Sequence, residues 1–149
     1  MPQKLFKKQS LMTRIAIGKL LGFAVGLLGF LLIPVLVPYA TLMFRSGILF
    51  WYTAFGAIIG VFGVFVWHPV LKISIPWWFR SMFIGAWLNL TVTLMSYDQL
   101  NEIVVAAVGT GSIFSSPFWF VLEGAIIALF IDYFATKYGG QGADIVDKS

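Results

Sequence analysis

Leu20–Val37, LLGFAVGLLGFLLIPVLV, and Ile48–Trp67, ILFWYTAFGAIIGVFGVFVW, run without a single charged residue. A membrane-crossing helix needs about 20 mostly apolar residues. Both stretches meet that length, and the first reaches back to Ile15 if Lys19 snorkels to the interface. Two further runs, Phe79–Tyr97 and Pro117–Thr136, have similar length, the last containing Glu123 and Asp132. The breaks between them are Pro38 with Arg45-Ser46-Gly47, then His68-Pro69, then Asp98, and finally Gly139-Gly140. The expected fold is therefore an all-α integral membrane protein, a bundle of four transmembrane helices. Its single membrane domain, 1–149, has spans at approximately 15–37, 48–67, 79–97 and 117–136.

Composition narrows the class. Of 149 residues, 60% are hydrophobic and only 11% are charged. Soluble domains carry roughly 25% charged residues, and a chain this short buries only about two thirds of its surface on folding. A mean hydropathy of +0.93 agrees. A soluble enzyme, a disordered regulator and a disulfide-stapled secreted domain are excluded. With no cysteine, thiolate chemistry and Cys-based metal sites are excluded too. The net charge of +4 reflects basic residues at the ends of apolar runs, which points to membrane orientation rather than nucleic acid.

Four spans place Lys4, Lys7, Lys8, Arg14, Lys19, Lys72, Arg80, Lys137 and Lys148 on one side and Arg45 alone on the other. Cytoplasmic loops carry the excess of Lys and Arg, so both termini and the Pro69–Pro76 loop are expected inside. A three-span or five-span reading breaks that asymmetry. The first run exceeds the ~7–15 residues of a signal-peptide core and reads as an uncleaved helix. The expected location is the bacterial inner (plasma) membrane, multi-pass. The segment 98–116 is too short to cross. It reads as an outer-leaflet cap or, alternatively, a re-entrant segment turning at Gly109-Thr110-Gly111-Ser112. The tail, 137–149, is expected to be cytoplasmic, and its Gly-rich, polar part from Gly139 to Ser149 mobile.

Glycines suggest how the helices meet. Gly18, Gly22 and Gly26 form one stripe, and Gly56, Gly60 and Gly63 another. In lipid, helices associate by close backbone approach at small residues. The stripes predict tight pairing of the first two helices, or else docking on another subunit. The leading expectation is a packing or assembly subunit of a homo-oligomer or a larger membrane complex.

Polar residues carry the alternative, a transporter or channel protomer for a proton, cation or small solute. Asn89, Thr93 and Ser96 share one face of the third run. Glu123 lies inside the fourth, where a charged carboxylate costs about 2.5 kcal/mol or more, so it should face the bundle. Proton coupling or cation binding uses such a group. The plainer possibility is a neutral acid bonded to Asn89, Thr93 or a backbone carbonyl. Asp132, nine residues on, points the opposite way, and Lys19 lies at a matching depth as a candidate ion-pair partner.

His68, Lys72, Trp77, Trp78 and Arg80 cluster at one interface and could hold an anionic lipid headgroup. A lone His without ligand-spaced neighbours is a poor metal site. No nucleophile motif, P-loop, dinucleotide fingerprint or zinc pattern is present. No catalytic residue, metal or cofactor is expected. The expected partners are the lipid bilayer and other membrane-protein chains, not nucleic acid.

Overall fold

A computed structural model describes residues 9–146. Five helices follow in order: α1, Leu11–Leu36; α2, Leu42–Phe62; α3, Trp77–Met95; α4, Tyr97–Val108; and α5, Trp119–Gly139. A small antiparallel hairpin of β1, Trp67–His68, and β2, Ile73–Ser74, links α2 to α3, with Trp67 opposite Ser74. A 3₁₀ turn at Ala143–Ile145 follows α5. Lys4, Lys7, Lys8 and Lys148, used above for orientation, lie outside the described residues.

Two of the starts are capped by hydroxyls. Ser10 Oγ accepts the Thr13 amide at 3.2 Å, and Thr41 Oγ1 accepts the Phe44 amide at 3.2 Å. Each satisfies a backbone donor that the first helical turn leaves free. The capping of α2 at Thr41 places Arg45 inside the helix, not in the preceding loop.

The expected four-helix bundle is corrected by this structure. Among the described residues only α1, α2 and α5 are long and apolar enough to cross a membrane. Helix α3 has 19 residues, but Arg80, Ser81, Asn89, Thr91 and Thr93, with three tryptophans, lower its apolar character. Span length alone had suggested a crossing. With three candidate spans, the orientation with both ends cytoplasmic, which needs an even number, also falls. Two of its markers are not free surface charges either, because Arg14 and Arg80 are buried.

Two tight antiparallel pairs make the body. Helices α1 and α2 meet along the glycine stripes. A Cβ on Gly60 would lie 2.9 Å from the Arg14 carbonyl oxygen, and one on Gly26 would lie 2.7 Å from that of Leu49. Gly18 and Gly56 exclude side chains from each other, and Gly22 abuts the Tyr52 carbonyl. Helices α3 and α5 form the second pair, with Gly85 against Gly124 and Ala128. The stripes on α1 and α2 are thus closed within one chain.

The segment 98–116 begins as α4, an amphipathic helix with Leu100 buried and Ile103 packed on the core. It caps the end of the bundle where α1 and α3 finish. The tail differs from expectation. Residues 137–139 belong to α5, the Gly142 amide donates to the Gly63 carbonyl at 3.0 Å, and Ile145 is 3% exposed. Gly140 and Gly142 have φ of 76° and 89°, a left-handed backbone region that glycine enters without a Cβ penalty. They turn the chain back so that Ile145 can be buried.

Candidate functional site

Polar side chains gather along the seam between the two pairs, where glycine brings the backbones together at Gly139 against Arg14. They form two layers.

The first layer lies at the end where α2 and α5 finish. Arg14 comes from α1, Arg80 from α3 and Asp132 from α5, and all three are buried. One Asp132 oxygen takes Arg14 Nη2, and the other takes Arg80 Nη2 at 3.1 Å. Arg14 Nε also donates to the Gly60 carbonyl at 3.0 Å, and Nη1 donates to Thr136 Oγ1 at 3.0 Å and to the Gly140 carbonyl. Arg80 Nη1 donates to the Phe65 carbonyl at 3.1 Å.

Two guanidinium groups face one carboxylate, leaving an excess of one positive charge. Helix C-termini supply the remainder. The carbonyls that Arg14 meets lie in the last turn of α2 and just past α5, and each helix end carries roughly half a negative charge. Gly63 and Gly139 make this possible, since a Cβ on either would collide with the Arg14 side chain.

Lys19 is therefore not the partner of Asp132. It is exposed, whereas Arg14 lies on the face of α1 that also carries Gly18, Gly22 and Gly26. Five positions separate Arg14 from Lys19, about 140° around a helix with 3.6 residues per turn. Arg80 likewise leaves the expected headgroup cluster, turning inward to Asp132. Of that cluster's other members, Lys72 and Trp78 are exposed. His68 Nδ1 accepts the Leu71 amide at 3.1 Å within the hairpin, and Trp77 packs on Tyr133 with ring centroids 6.0 Å apart.

The second layer centres on Asn89, fully buried in α3. Its Oδ1 accepts Trp51 Nε1 at 3.2 Å. Its Nδ2 donates to the Tyr52 hydroxyl at 3.3 Å and to the Phe120 carbonyl at 2.8 Å. One side chain thus ties α3 to α2 and α5. Thr93, also buried, donates to the Asn89 carbonyl at 2.7 Å within its own helix. Ser96, half-buried, is the N-cap residue of α4 without a side-chain cap bond, and lies outside the layer.

Glu123 stands beside this layer, with the Tyr52 hydroxyl as its neighbour. Its Oε2 is buried and has no hydrogen-bond partner. Arg45 does not answer it, because that guanidinium sits 4.4 Å above the Phe30 ring and donates to the Phe30 carbonyl at 3.0 Å. Glu123 lines a cavity of about 290 Å³ with Trp51, Tyr52, Phe120 and aliphatic residues of α1, α2 and α4.

Sequence reasoning brought Asn89, Thr93 and Glu123 forward but missed Arg14, Trp51 and Tyr52. Arg14 had a signal: it extends the Gly18–Gly22–Gly26 spacing by one step of four. These helices are those of a membrane-associated protein with an internal polar core. Comparison with protein-family models, curated proteins and solved structures gives no match.

Proposed function

We propose that the chain is a transporter or channel protomer, multi-pass in a bacterial inner membrane, moving a proton, cation or small solute past Glu123 and Asn89. The observation that carries this reading is Glu123 Oε2, buried and unpartnered on the wall of a cavity. A buried acceptor left unmade costs about 1–3 kcal/mol, and more if charged. Native structures leave few such groups. A carboxyl held in that condition suits a partner that arrives and leaves.

The seam supports the same reading. Within each pair the closest contacts are backbone contacts at glycine, beside side-chain bonds such as Arg80 to Asp132 and Asn89 to Phe120. Between pairs there are side-chain bonds through Arg14, Asn89 and Asp132 and a close glycine contact of Gly139 with Arg14. Transport by rocking one unit against another uses a polar boundary of this kind. A docking subunit has less support, because the glycine stripes that suggested it are occupied inside the chain.

The test is flux in liposomes containing wild type or Glu123→Gln, under proton and alkali-cation gradients. Gln keeps the shape and cannot change charge. A tenfold or greater loss of flux with unchanged thermal stability supports the reading. Flux that Gln leaves unaltered overturns it.

A further inference from the structure

The Glu123 cavity has a composition that selects among cargoes. Its volume of about 290 Å³ is near the lower end for small-molecule sites. That is far more space than a proton requires. Hard metal cations take six or more oxygen ligands, and this wall offers the Glu123 carboxyl and the Tyr52 hydroxyl among largely apolar side chains. No group of three or more metal-binding side chains occurs among the described residues.

The remaining wall suits an organic ligand. Trp51 has its polar end engaged by Asn89, so ring surface is what it contributes, and Tyr52 adds ring surface beside its hydroxyl. With Phe120 they give three aromatic rings near one carboxyl. Cations are attracted to aromatic faces by about 0.5–2 kcal/mol. An anion would be repelled by Glu123, and a neutral apolar ligand would leave Oε2 unmet.

Access fits the same chemistry. Leu28, Leu32 and Leu36 line the cavity and are themselves exposed on α1. The space therefore opens on the apolar flank of the bundle, where a lipophilic molecule dissolved in the bilayer would meet it.

We infer that this cavity binds a lipophilic organic monocation of the aryl- or alkylammonium class, its charge against Glu123 and its apolar part among α1, α2 and α4. This rests on the reading of Glu123 as the transport site and names the cargo class of that site.

The full chain in nanodiscs is titrated with phenyltrimethylammonium and with tert-butylbenzene, which has nearly the same shape and no charge. Binding is read by calorimetry. Wild type should prefer the cation at least tenfold, a comparison that needs no variant. Glu123→Gln should abolish the preference. Ile103→Trp, filling the cavity from α4, should weaken both ligands.

Equal affinity for the two ligands in wild type, or binding of neither, overturns the inference. Glu123-dependent proton or sodium flux without phenyltrimethylammonium binding also overturns it, while the transport reading stands. Glu123-dependent cation binding without any flux supports the inference and removes the transport reading instead.

Discussion

Gly18 and Gly56 each place backbone where the other's Cβ would have to stand. Neither helix can move toward its partner, and neither position tolerates a side chain without parting the pair. The closeness gives α1 and α2 the van der Waals contact that drives helix association in lipid.

Gly56→Leu and Gly22→Leu should each destabilise the protein by about 1–3 kcal/mol or more, as overpacking does. Gly47→Ala, at a position with open space, is the control and should be near neutral. Thermal unfolding in nanodiscs reads the difference. A stable Gly56→Leu would mean that the α1–α2 contact is looser than described.

Asp132→Asn should be the most damaging single change in the arginine layer. It leaves two buried guanidinium groups with no carboxylate, and removing one partner of a buried pair costs about 3–5 kcal/mol. Arg80→Gln should cost less, since Arg14 and Asp132 remain paired. Equal losses for the two variants would show that charge balance does not control this layer.

Asn89→Leu should lose about 1–3 kcal/mol by leaving the Trp51 N–H unanswered and cutting the tie from α3 to the Phe120 carbonyl. Thr91→Leu is the matched control. Thr91 is exposed and bonds only the Trp87 carbonyl of its own helix, at 3.0 Å. Chemical denaturation in detergent should separate the two, and similar midpoints would contradict the role given to Asn89.

Ile145→Ala should cost about 2 kcal/mol or more, as for other buried isoleucines. Protease digestion should then cut after Lys137 faster than in wild type. Unchanged stability would place the tail's contacts outside the folded core.

Much of this architecture was legible before folding. The stripes on α1 and α2 marked a close pair because glycine repeats every three or four residues on both helices. Asn89 and Thr93 were legible as a buried face for the same reason. The Gly85–Gly124 contact was not, since α3 has one glycine and those of α5 lie fifteen positions apart, which makes no stripe. Helix α3 was misread because span length says nothing about which face meets lipid and which meets protein. Depth alone suggested Lys19 for Asp132, but helical phase decides, and it selects Arg14. The hairpin at 67–74 has too few residues to give a period.

The arginine layer also sets an order of assembly. Arg14 precedes Asp132 by 118 positions. At a synthesis rate of about 5–20 residues per second, it waits about 6–24 s for its carboxylate to be made. During that interval α1 and α2 can already zip together, but the charge between them has no counter-ion from its own chain. The nascent protein must keep that guanidinium at the water boundary until the last helix emerges. A chain that ends before Asp132 therefore holds the α1–α2 hairpin with Arg14 lacking its carboxylate partner.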